Sequence, residues 1–275
     1  MHEDVRAGRL RVSRRRALAT GGVIGLGALL AACSAEESPD SADPSGSPSA
    51  PGPSASPDAT ADLLAKLDRV GSCQLTSEET QGPYWFDVDS IRSDIRDERP
   101  GTELQVALRV YDRQCRPIPD SVVEIWHCDA AGIYSGYEDA SRGGSGSGQT
   151  DTSDGEYSRG EQESRPTDDG TYLRGAQVAD ADGLVRFLTI WPGWYTGRTV
   201  HIHLKVHIDR TSVLTSQLYF DDTVNDEVYS TEPYTAHPGR DRRNDDDGIY
   251  DASGLLTTEP TDTGYLAYTN LGVPV

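Results

Sequence analysis

Residues 198–208 read Arg-Thr-Val-His-Ile-His-Leu-Lys-Val-His-Ile. Every even position from Val200 to Ile208 is aliphatic, while the odd positions include His201, His203 and His207. Side chains alternate across a β-strand, so one face of this segment is predicted to enter a core and the other to present imidazoles. Working outward, residues 213–220 supply a return strand for it. Upstream, residues 172–178 and 184–190 flank Asp180-Ala181-Asp182-Gly183, whose Asp-Gly favours a tight turn. Further upstream, Leu104, Val106, Leu108 and Val110 alternate with less apolar neighbours, residues 116–120 form a Pro/Asp turn, and residues 122–126 run on as a second strand. Three hairpins are therefore expected. Residues 59–70 suit one short helix, and no long amphipathic helix follows residue 72. The expected fold class is all-β: a β-sandwich of mostly antiparallel strands with long loops, preceded by a disordered N-terminal tether. The Gly/Ser/Asp/Glu-rich stretch 135–169 reads as an inserted surface loop, with a lid or substrate-selecting rim as the alternative.

The N-terminus reads as an address. Arg14 and Arg15 form a twin arginine ahead of a Gly/Ala-rich apolar run, residues 21–32. That run is too short to span a membrane, which takes about 20 residues. Leu30-Ala31-Ala32-Cys33 resembles a lipobox, with Cys33 as the lipidated residue. Residues 1–33 are thus expected to be a twin-arginine lipoprotein signal peptide. Residues 34–60, almost all Ser, Pro, Asp, Ala, Gly and Glu, form the tether because they bury too little apolar surface to offset their ordering entropy. Residues 61–275 are the folded domain. The expected location is the outer face of a bacterial cytoplasmic membrane, with membrane contact only through the lipid anchor.

The 275-residue chain carries a formal charge of -20. Without residues 1–33 the balance is 19 basic against 43 acidic residues, which excludes nucleic acid as a partner because phosphate contacts need a basic face. After Cys33 the cysteines are Cys73, Cys115 and Cys128. Outside the cytoplasm a disulfide is permitted. Cys115 near the first predicted turn and Cys128 far along the return strand should not face each other, so Cys73–Cys115 is the expected pair.

His201 and His203 should project to one side, about 7 Å apart at the backbone, where two imidazoles can converge on a metal. Taken alone, a His-x-His is equally well a polar pair on a solvated face, and His207 reads as a surface or supporting residue. Pro192-Gly193 forms a turn that aims Tyr195 toward this strand. Residues 126–134 end a strand in a Gly-containing turn that presents Tyr134. Each tyrosine singly is more often a packed aromatic with a bonded hydroxyl.

Together, residues 125–134, Pro192-Gly193-Trp194-Tyr195, residues 198–203, Gln81-Gly82-Pro83-Tyr84-Trp85 and Gln217-Leu218-Tyr219-Phe220 resemble the intradiol ring-cleavage dioxygenases, the protocatechuate and catechol dioxygenase family, over roughly residues 73–250. The likeness is to an exported, single-domain branch. The resemblance implies one non-haem Fe(III) per chain, bound by Tyr134, Tyr195, His201 and His203. Hard phenolate donors suit a ferric ion. It further implies that a small aromatic diol and O2 are the substrates. Tyr195 is displaced on binding and takes up a diol proton, and the ring opens to a cis,cis-muconate-type diacid. Arg198 is expected to stabilise charge developing on the ring, with Gln217 on the same ring face. Trp126 and Trp194 are expected as pocket walls or core, and a homo-oligomer is possible. His127 and Cys128, beside the Tyr134 turn, depart from an obvious role. Two other readings stand beside this one: a catalytically inactive, lipid-anchored β-sandwich binding module, and a zinc hydrolase built on His-x-His.

Overall fold

The computed structural model describes residues 57–70, 74–143, 150–152, 157 and 162–275. The signal peptide 1–33 with Cys33, most of the tether and Cys73 lie outside the described residues. Two four-stranded sheets make a sandwich. The first orders β6 (Leu184–Ile190), β1 (Glu103–Tyr111), β10 (Gly264–Gly272) and β9 (Thr257–Pro260). The second orders β5 (Arg174–Val178), β2 (Val122–Trp126), β7 (His201–Ile208) and β8 (Thr211–Tyr219). Strand pairs within the sheets are antiparallel except β1 with β10. The all-β sandwich expected from the sequence is the fold observed.

The apolar halves of the alternating strands meet between the sheets. Leu104, Val106, Leu108 and Val110 of β1 join Val123 and Ile125 of β2, Ile202, Leu204 and Val206 of β7, and Leu214 and Leu218 of β8 in one core. The odd-numbered face of β7 is buried as well: His201, His203, Lys205 and His207 are all at most 3% exposed. Lys205 Nζ lies 3.7 Å from the Trp85 ring centroid, and the His207 ring packs on Tyr157 of the inserted stretch.

Of the three expected hairpins, β7–β8 forms, with Asp209 and Arg210 both at positive φ in its turn. The other two do not. β1 and β2 belong to different sheets, and so do β5 and β6. The turns are present, Gly183 N–H donating to Asp180 O at 3.0 Å for example. They carry the chain from one sheet to the other. Alternation fixes which residues face inward, and since both sheets face the same core it cannot tell a hairpin from a crossing. No strand beyond Phe220 was expected, and β9 and β10 complete the first sheet.

The short helix spans Pro57–Leu67 and so begins inside the stretch read as tether. Proline at its first turn forgoes an N–H that would be unbonded there anyway. Leu63 and Leu67 pack on Ala107, Leu184 and Tyr268. The inserted stretch is more than a solvated loop. It opens with a helical turn, Glu138–Ser141, and carries a small ribbon of β3 (Thr150–Thr152) and β4 (Gln162–Ser164). Tyr137 is buried with its hydroxyl donating to Ser164 O at 2.7 Å, and Tyr157 is buried against His207. Cys115 is disulfide-bonded and Cys128 is a buried free thiol.

Candidate metal centre

β7 sets the site. His201 and His203 leave the same face, and their Nε2 atoms stand 3.1 Å apart. His201 Nδ1 lies 2.6 Å from Thr199 O, which can only accept, so the proton sits on Nδ1 and Nε2 carries a free lone pair. The Tyr195 hydroxyl is 3.0 Å from that Nε2. Trp126, opposite His203 in the β2–β7 register, stacks on its ring at 5.1 Å and 6°.

Two turns bring in the tyrosines. In the 129–134 turn, Asp129 Oδ1 accepts from the N–H of Ala131 and Ile133. Gly132 sits at φ +82, where a Cβ would meet Trp194 O at 2.3 Å. Only glycine allows this turn to press against the backbone that carries Tyr195. Gly193 N–H donates to Asp129 O at 3.1 Å and closes the junction. The Tyr134 and Tyr195 rings then lie 5.8 Å apart edge to face, with Tyr134 6.0 Å from His203. Arg174, fully buried, donates to Ser135 Oγ and Ser135 O and so pins the loop just after Tyr134. Burial pulls its guanidinium down to about 10.

Burial keeps all four side chains uncharged. Burial, and then the neighbouring Arg198 charge, depresses His201 to about 3, and burial and His201 hold His203 well below the usual imidazole range. Both rings are neutral, and His201 turns its unprotonated Nε2 toward His203. Burial raises both Tyr134 and Tyr195, so without a cation both stay as phenols. The Tyr134 hydroxyl is buried with no hydrogen-bond partner among the described residues. A buried phenol without a hydrogen-bond partner is unfavourable, and an ion bound at its oxygen would relieve that cost. Two phenol oxygens and two imidazoles are a donor set that fits ferric iron. Among the described residues no group of three or more His, Cys, Asp or Glu is placed to hold a metal, so any ion here would depend on the tyrosines.

Residues 82–158 match the family described as Dioxygenase. An intradiol ring-cleavage dioxygenase of Tetranychus urticae is 31% identical, with 74% of this chain and 95% of that one aligned at a TM-score of 0.63. The chain belongs to the intradiol ring-cleavage dioxygenase family. The dioxygenase domain of a carbohydrate-binding fusion from Streptomyces sp. SirexAA-E is 27% identical over 74% of this chain and 99% of that one, at a TM-score of 0.51. Among curated relatives, the protocatechuate 3,4-dioxygenase beta chain of Burkholderia cepacia is 29% identical over 151 residues, 52% of this chain and 54% of that protein. The matches span 54% and 58% of the lengths of the curated relatives.

For this family member, the structure gathers Tyr134, Tyr195, His201 and His203 on one side of the second sheet. Arg198 and Gln217 adjoin them. Arg198 Nε donates to Asp247 Oδ2 at 2.9 Å and Nη2 to Gln217 Oε1 at 2.6 Å. Gln217 lies opposite His203, and its amide N–H donates to Thr80 O at 2.9 Å. Trp194 is buried, with its indole N–H on His237 O. His207 is not at the surface: it is buried 3.4 Å from Glu124, outside the cluster. His127 points away, bridging Cys128 O and Thr189 Oγ1, and burial lowers it to about 4. The Cys128 thiol, raised by burial, leans on Gly193 O.

Sequence reading gave no role to four neighbours. Asp247 sits in the run Asn244-Asp-Asp-Asp247, which looks like solvent-facing acid, yet its side chain is 2% exposed. Trp85 is fully buried and donates to the buried Glu124 at 3.0 Å. Glu79 and Tyr219 bond to each other beside Gln217. Of these only Tyr219 carried a signal, lying two residues from Gln217 on the same strand face.

Proposed function

We propose that this chain opens the ring of a catechol-type diol with O2, between the two oxygen-bearing carbons, to give a cis,cis-muconate-type diacid. The observation that carries the reading is the convergence of Tyr195 O, His201 Nε2 and His203 Nε2 within 3.0 and 3.1 Å beside the partnerless Tyr134 hydroxyl. These four residues would hold one non-haem ferric ion, which supplies Lewis acidity toward a chelated diol and withdraws charge from its ring.

The chain's own groups have separable tasks. Tyr134 is 1% exposed and can remain a fixed donor. Tyr195 is half-buried, so as the phenolate it would become on the ion it is the one able to swing aside and take a diol proton at its oxygen. His201 and His203 stay neutral and oriented, the first through Thr199 O and the second through the Trp126 stack. Arg198, aimed by Asp247 and Gln217, presents positive charge for electron density building on the ring. Tyr84, 5.0 Å from Tyr134, walls the opposite side and helps exclude water.

Export and anchoring are part of the same proposal. Arg14-Arg15, the apolar run 21–32 and Cys33 support a folded domain delivered through a twin-arginine route and tethered by lipid. A Cys33→Ala chain should leave the membrane fraction; retention there would count against the anchor.

The deciding experiment measures iron per chain, visible absorption, and oxygen uptake with a panel of catechols, with products read by mass spectrometry. About one iron per chain, a broad tyrosinate-to-iron band and ring-opened diacids are expected. Colourless, iron-free protein without uptake would favour the inactive binding module, and zinc without a visible band would favour a hydrolase.

A further inference from the structure

Glu79 and Tyr219 have no task in the scheme above, yet they border the arm that aims Arg198. On β8, Gln217 stands opposite His203 and Tyr219 opposite His201, so both side chains lie on the histidine face. The backbone N–H of Glu79 donates to Thr215 O at 2.8 Å, and Gln217 Nε2 donates to Thr80 O at 2.9 Å. Segment 79–80 is therefore clamped along β8.

The Tyr219 hydroxyl has one proton and three acceptors around it. It is bonded to Glu79 Oε2, and it stands 3.4 Å from Gln217 Oε1 and 3.4 Å from Ile249 O. A carboxylate is much the strongest acceptor of the three. The Gln217 oxygen, which takes the Arg198 Nη2 bond at 2.6 Å, is thus left without the phenol's proton.

We infer that Glu79 is a positioning residue: by accepting the Tyr219 O–H hydrogen bond it leaves the Gln217 carbonyl oxygen to Arg198 alone. Without Glu79, the phenol's best remaining acceptor on the histidine face is that same oxygen. A 3.4 Å contact is too long for a good O–H···O bond, and closing it to about 2.8 Å swings the amide toward Tyr219 and away from the guanidinium. Arg198 then keeps Asp247 on Nε but loses its hold at Nη2. Burial raises the Glu79 carboxyl to about 7, so the carboxylate, the stronger acceptor, is half present near neutrality and fully present only in alkaline solution.

The inference rests on the reading of Arg198 given above, and the test separates the two. Glu79→Ala, Tyr219→Phe and the double variant are compared with the unaltered iron-loaded chain in kcat, KM, visible band and crystal structure. Glu79→Ala should lower kcat about tenfold, with KM within about twofold and the band unchanged, the size expected for one misaimed donor. Tyr219→Phe carries no competing proton and should stay within about twofold of the unaltered chain. The double variant should match Tyr219→Phe, recovering what Glu79→Ala lost. A Tyr219→Phe loss as large as that of Glu79→Ala, or no recovery in the double variant, overturns the inference. If the unaltered chain opens no diol, the functional reading fails and the crystal structures decide. Glu79→Ala should show Tyr219 closing on Gln217 Oε1, and an unmoved Gln217–Arg198 bond refutes the claim. Should Glu79→Ala not fold, the Tyr219→Phe measurement decides alone.

Discussion

Arg198 spans two environments. Its Nε meets a carboxylate that is 2% exposed, while its own side chain stays 15% exposed toward the site. The Asp247 partnership serves to aim the guanidinium, not to neutralise a surface. Arg198→Ala is expected to keep iron and colour yet lower kcat about a hundredfold; full turnover in that variant would remove its role. Tyr134→Phe should bleach or shift the visible band, and an unchanged spectrum would count against ligation. Glu79 gives a stability test. Burial raises its carboxyl from 4.5 to about 7 in the fold, so the folded state holds the proton more tightly than the unfolded one. Its contribution is fully present below about 4.5 and is lost as pH rises through about 7. The melting temperature of the unaltered chain relative to Glu79→Gln should therefore decline across that window; a pH-independent difference would contradict the raised carboxyl. That Tyr134, Tyr195, His201 and His203 come together was legible from the family resemblance of several short motifs; singly, a His-x-His alternation and two glycine turns left the bland reading open. The contacts of Glu79, Trp85 and Asp247 were not, since each reaches its partner across a long sequence separation and nothing local marks Asp247 as buried.

Among the strands, β7 is the one whose two faces both matter. Its aliphatic positions fill the core and its odd positions build or support the site, which is why a single stretch disclosed so much. The failed hairpins show the complementary limit. Residues 116–120 and 180–183 turn the chain as their composition suggests, but the flanking strands bury apolar residues equally well in either sheet. β10 pairs in parallel with β1, a contact set by tertiary packing and absent from any local pattern. The Pro57–Leu67 helix is a separable element on the far side of the first sheet. Leu67, fully buried against Leu184 and Tyr268, should cost about 2–5 kcal/mol when cut to alanine. The visible band and kcat should not change; a spectral shift would show that the helix communicates with the site.

At the scale of the molecule, the formal charge of -20 acts as self-repulsion in the compact state. Raising sodium chloride from about 0.01 M to about 0.15 M shortens the screening length from about 30 Å to about 8 Å. The melting temperature should rise accordingly, and a fall would mean that surface ion pairs such as Arg240 with Asp222 and Asp226 outweigh the repulsion.

The double burial of β7 also bears on how such a protein can diversify. No position from His201 to Val206 is free to drift: a polar change at Ile202 or Leu204 should abolish folded yield, and, on the proposed ligand set, a change at His201 or His203 should leave yield intact while lowering bound iron. Novel chemistry in descendants of this scaffold should therefore arise from edge strands and inserted segments, where selection leaves room, and β7 should remain nearly fixed in any library sorted for both yield and colour.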